Sequence, residues 1–107
     1  SDLSRLGRTP GMEESFDRMF QEGVAAGEFR PADPAAIRSL TFGASRMVQR
    51  DILMGLATPD HKERVVALLL VTFGLAPEDA ERISHESALR AAQIHDQIQG
   101  QVPLRAV

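Results

Sequence analysis

Glu22 to Ala36, EGVAAGEFRPADPAA, decides how this chain folds. A helical pattern runs into Gly27, a residue that takes the positive φ needed to close a helix just past its C-cap. Phe29 follows as an apolar plug. Pro31 and Pro34 stiffen the link. Asp33-Pro34 reads as an N-cap and then the first helical position, where proline's missing N–H is not needed. The stretch is therefore a fully specified joint, and it fixes how two helices pack.

Working outward, the same punctuation recurs at Thr9-Pro10, Thr58-Pro59 and Ala76-Pro77. Each step precedes a run with helical periodicity, so four helices are predicted, at about Pro10–Ala26, Pro34–Leu56, Pro59–Phe73 and Pro77–Ile98. Gly74 ends the third. Gly100 and Pro103 predict a disordered tail over 99–107. The expected fold class is all-α: one domain, a small antiparallel array of about four helices.

Each helix predicts its own packing. In the first, Phe16, Met19, Phe20 and Val24 share a face, and Gly23 inside it predicts a close approach. The second carries two adjacent apolar faces: Ala36, Leu40, Gly43, Ala44 and Met47 on one, Ile37, Thr41, Val48 and Ile52 on the other. That arc is wider than a one-sided surface helix needs, and Gly43, Ala44 and Ser45 are small enough to admit another helix. In the third, Val65 to Phe73 is apolar on every side, so it calls for cover all round. A strand is the competing reading of that run, but no second strand exists to pair with it. Four helices of this size do not easily wrap one of their own, so the third helix predicts a partner surface around Leu68. The fourth helix has only a thin stripe, Ala80, Ile83, Ser87, Ala91, Ile94 and Ile98, and is expected on the surface or extending away.

The joint and the small-residue helix after it resemble the TetR family of bacterial transcriptional regulators. The likeness is to the junction between the last pocket helix and the first dimer helix of the C-terminal effector domain, over about Met12 to Ala76. It implies that the second and third helices pair with their copies as a four-helix bundle, with Leu40, Gly43, Met47, Val66, Leu69, Leu70 and Phe73 at the homodimer interface. It also implies a pocket for a small apolar or amphipathic effector, with Phe16, Met19, Phe20, Met47 and Arg50 as its candidate contacts, although core packing is the default reading of the four apolar residues and a solvated or intersubunit ion pair that of Arg50. DNA would be read only through an N-terminal helix-turn-helix that this chain does not contain. The start at Ser1 rather than methionine predicts sequence upstream.

Composition narrows the classes. A net charge of −3, with basic residues scattered among acidic ones, leaves no basic stripe for direct nucleic-acid binding. With no cysteine, disulfides and thiolate metal sites are excluded, and a cytoplasmic location is expected. No run is long enough to span a bilayer. His61, His85 and His95 show no metal-ligand spacing and read as solvated side chains, so neither metal nor cofactor is expected. Serines lack a nucleophile motif, and the acidic pairs Glu13-Glu14 and Glu78-Asp79 sit at helix starts, where the dipole explains them. No enzymatic activity is expected. A free-standing helical protein–protein interaction module, binding another protein in the groove of the second and third helices, is the alternative role.

Overall fold

The computed structural model describes residues 11–101. Within them the chain is all-α, a small array of four helices: α1 (Met12–Ala25), α2 (Pro34–Leu53), α3 (His61–Thr72) and α4 (Pro77–Gln101). Pro10, expected to open the first helix, and the tail from 102 onward lie outside the described residues. Residues 99–101, expected in the tail, continue α4.

The joint forms as its residues dictate. The Glu28 N–H donates to the Gly23 carbonyl at 2.8 Å and the Gly27 N–H to the Val24 carbonyl at 3.0 Å. With Gly27 at φ 77°, this is a Schellman closure of α1. The Ala36 N–H donates to Asp33 Oδ2 at 2.9 Å, and Pro34 takes the first helical position. Gly74 ends α3 as expected. The second helix is shorter than its predicted end at Leu56. Gly55 takes φ 71°, and the Leu56 N–H donates to the Asp51 carbonyl at 2.9 Å, so α2 stops at Leu53 by the same closure. The third helix starts at His61 rather than Pro59, with Asp60 at its N-cap.

Phe29 is more than a plug. All five phenylalanines of the chain form one cluster: Phe20 stacks on Phe29 at 5.5 Å between centroids, and Phe73 meets Phe20 at 5.4 Å and Phe29 at 5.5 Å. Phe16 bridges Phe20, Phe73 and Phe42. Phe20, Ile37 and Phe73 are its buried centre. A Cβ at Gly23 would run into the Phe29 ring, so the close approach predicted there is made by the connector's own aromatic side chain. The Arg30 N–H donates to the Phe73 carbonyl at 2.6 Å, tying the α1–α2 joint onto the end of α3.

Two markers set the run of α2 against α3. Asp51 meets His61 at 3.3 Å at one end, and Ile37 packs with Phe73 at the other, so the pair is antiparallel. α3 and α4 form a second antiparallel hairpin, closed through Ala80 and Ser84, both almost fully buried. Small residues there let the backbones come close. Past Ala88 every α4 side chain through Gly100 is exposed. A 25-residue helix reaches about 37 Å and a 12-residue one about 18 Å, so the second half of α4 overhangs its partner.

Candidate interaction surface

α2 carries two apolar faces, and the chain covers only one. Ile37 and Val48 are buried and Thr41 and Ala44 half-buried, all turned to the core. Ala36, Leu40, Gly43 and Met47 are exposed, Leu40 at 46% and Met47 at 51%. Open space surrounds the position a Cβ would take at Gly43.

On α3 no residue is buried, although the helix is apolar nearly all round. Val65, Val66, Leu69 and Leu70 are half-buried, while Leu68 is 69% exposed. Thr72 and Val71 are exposed beside it.

Helical phase places these exposed residues on one side. At 100° per residue, Leu40 and Met47 lie about a quarter-turn behind the α3-facing side of α2. Leu68 lies about a quarter-turn, and Thr72 about an eighth-turn, behind the side of α3 that carries Val65 and Leu69. In an antiparallel pair, equal offsets of the same hand emerge on the same side. The opposite offset holds Phe42, which meets Phe16 of α1 at 5.6 Å, and Glu63, which meets His85 of α4 at 3.3 Å. α1 packs over the Phe42 side of the pair at one end and α4 against the Glu63 side at the other, while Leu40 and Met47 of α2 and Leu68 of α3, at the mouth of the α3–α4 cleft, are left as an exposed apolar face. Two layers around one core is the usual solution for helices, and here a layer is missing.

This corrects several sequence expectations. Phe73, expected at a subunit interface, is 5% exposed and sits among the phenylalanines of its own chain. Val66 and Leu69 line the space between α2 and α3, and Leu69 and Leu70 pack on the core, whereas Leu40, Gly43 and Met47 are exposed. The candidate effector contacts do not converge. Phe20 is in the core and Phe16 packs against it, while Met19, Met47 and Arg50 are exposed in different directions. None of the five lines any of three cavities found among the described residues.

Those cavities differ in chemistry. A polar cleft of about 360 Å³ lies between the start of α1 and α2, with Arg38 placed 3.2 Å from Asp17 and 3.8 Å from Glu13. Another, of about 540 Å³, separates α3 from α4 beside Leu68 and the Glu63–His85 contact. The third, about 470 Å³, runs between the C-terminal half of α2 and the N-terminal half of α3 and is mainly aliphatic. Sequence reasoning missed it, because Lys62 and Gln49 carry no motif and Val48 and Val65 read as plain core.

Among the described residues one carboxyl departs clearly from its ordinary range. The Thr58 hydroxyl, donating at 2.8 Å, together with the Arg64 guanidinium at 2.7 Å, holds Asp60 below it. The carboxylate is turned to these partners and makes no side-chain cap to α3. Among the described residues no group of three or more His, Asp or Glu side chains is placed to hold a metal ion, and no helix is long and apolar enough to cross a membrane. Comparison with protein-family models, with curated proteins and with solved structures gives no match.

Proposed function

We propose that this chain is the dimerisation and effector-sensing portion of a TetR-like bacterial transcriptional repressor, acting in the cytoplasm as a homodimer. The observation that carries the reading is the uncovered apolar face of the α2–α3 pair. It lies on the two helices to which the resemblance gives the subunit contact. A second copy related by a twofold axis would lay the same face against it and complete a four-helix bundle, each helix gaining the layer it lacks. In such a regulator an effector shifts the balance between two spacings of the DNA-reading heads, and this chain's part is to bind and to transmit rather than to catalyse.

The absence of native cysteine makes a direct test simple. Single-cysteine variants at Leu40, Gly43, Met47 and Leu68 should oxidise to covalent dimers, most readily at the position nearest the axis. A variant at Gln93, exposed on α4, should not. Equal yields at all five positions, or none at the first four, refute the paired face. The free-standing interaction module draws on a separate observation. Leu89, Ile94 and Ile98 leave about half their surface open on the α4 overhang, away from the α2–α3 face. The module, expected to use the groove of α2 and α3, would here have a second apolar surface, and it predicts a monomer that binds a different chain.

A further inference from the structure

We infer that the aliphatic groove between α2 and α3 binds a monoanionic amphiphile, a carboxylate on an unbranched aliphatic tail. This rests on the effector-sensing half of the function proposed above and gives it a place and a ligand class. The walls are Val48, Ile52, Leu53, Val65, Val66 and Leu69, with no aromatic side chain among them. At about 470 Å³ the groove is of the size that takes a small molecule.

Its two ends differ. At one, Leu69 packs against the phenylalanine cluster, which closes the groove. At the other, Lys62 and Leu53 stand beside the α2–α3 connector, where both are exposed. Lys62 is the chain's only lysine, and no ion pair engages it among the described residues. The carboxylates near it in sequence are committed elsewhere: Asp51 to His61 and Arg50, Asp60 to Thr58 and Arg64, Glu63 to His85. An unmatched cation at the open end of an aliphatic trough recognises one negative charge with a tail behind it. Gln49, exposed on the same groove, adds an amide for the second carboxylate oxygen. A flat aromatic ligand finds nothing to stack on, and a phosphate would bring more charge than one ammonium balances.

The groove lies a quarter-turn to the other hand from Leu40 and Leu68, through Gln49, Leu53 and Val66. A ligand there does not compete with a second copy on the outer face. It does touch Val48 and Val65, which line the groove from α2 and from α3.

Decanoate and decanol, each below its aggregation limit, are the probes, and the methyl resonances of the whole chain are the readout. Decanoate should shift the methyls of Val48, Ile52, Val65, Val66 and Leu69 saturably, and Lys62→Gln should weaken it about tenfold, the loss of one charge-assisted contact. Decanol should bind the wild type about as weakly as decanoate binds that variant. Val66→Phe, filling the groove, should abolish the shifts while the rest of the spectrum stays folded. Absence of binding, unchanged affinity in Lys62→Gln, or shifts spread equally over Leu40, Leu68 and Leu89 overturns the inference. The mass of the same samples separates the two claims: a dimer indifferent to decanoate sinks the ligand alone, and a monomer that binds it sinks the pairing alone.

Discussion

Leu68→Glu puts the uncovered face to a quantitative trial. Fully burying a leucine is worth about 1.5–3 kcal/mol, and with 69% of Leu68 still exposed, pairing has about two-thirds of that left to gain. The gain is about 1–2 kcal/mol per copy and about 2–4 kcal/mol per twofold dimer. Losing it raises the dimer's Kd by about 30- to 1000-fold, before any cost of bringing a carboxylate to the interface. The subunit itself should hardly respond, because the side chain touches little within its own chain and glutamate is a good helix former. Its unfolding free energy, taken below the dissociation concentration, should change by less than about 0.5 kcal/mol. Leu89→Glu is the control, since Leu89 is 51% exposed but lies on the α4 overhang. Sedimentation velocity across a dilution series reads all three proteins. A Leu68→Glu protein that dimerises like the wild type refutes the reasoning. So does a Leu89→Glu protein that dissociates to the same degree, because association would then be general stickiness.

Other perturbations probe the parts beneath. Phe73→Ala should cost about 3–5 kcal/mol of subunit stability in urea unfolding, as a core aromatic does; a small change there with a large loss of association would return Phe73 to the interface. Gly23→Ala should destabilise by about 1–3 kcal/mol, because the new Cβ meets the Phe29 ring, whereas an open helical glycine would gain about 1 kcal/mol from the same change. Asp33→Ala should lose about 1 kcal/mol with the cap of α2. Asp60 is held more acidic when folded than unfolded, so its contribution is present above the unfolded value and is lost as pH falls through the lowered folded one. Carboxyl chemical shifts should show Thr58→Ala moving that titration upward, and an unmoved midpoint would mean the Thr58 hydroxyl is not its cause.

Local rules were the legible part. Gly27 and Gly74 closed helices, and Asp33 capped one, because each acts through its nearest neighbours. Gly55 acts the same way, and the Gly-Leu-Ala-Thr-Pro run held its signal, but the apolar residues on either side disguised the stop. Phe29 was harder to read. Its stacking on Phe20 depends on the path of the joint, which brings it over the bare backbone of Gly23. Only the vacancy at Gly23 hinted at it.

The site was legible by half. Periodicity separated most of the two faces of α2, but Ala44, grouped with Leu40, turns to the core and Ile52, grouped with Val48, is exposed, and it could not tell which face the rest of the chain would occupy. On α3, apolar in every direction, it offered no phase at all. Phe73 therefore read as interface although it belongs to the core, and Leu68 emerged outward only once α2 and α4 had taken their sides. Phe16 and Phe20 offered core packing first and a pocket wall second, because aromatic side chains suit either use, and the core took both. The groove at Lys62 joins residues from two helices brought together by the α2–α3 hairpin, a relation no spacing within one helix records.

The central claim, that the open side of the α2–α3 pair is closed by a second copy, meets its most direct trial in sedimentation equilibrium of the unmodified chain over the micromolar range. A mass of twice 11.7 kDa, falling to the single value only on strong dilution, is the predicted result. A single mass of 11.7 kDa at every concentration would contradict it.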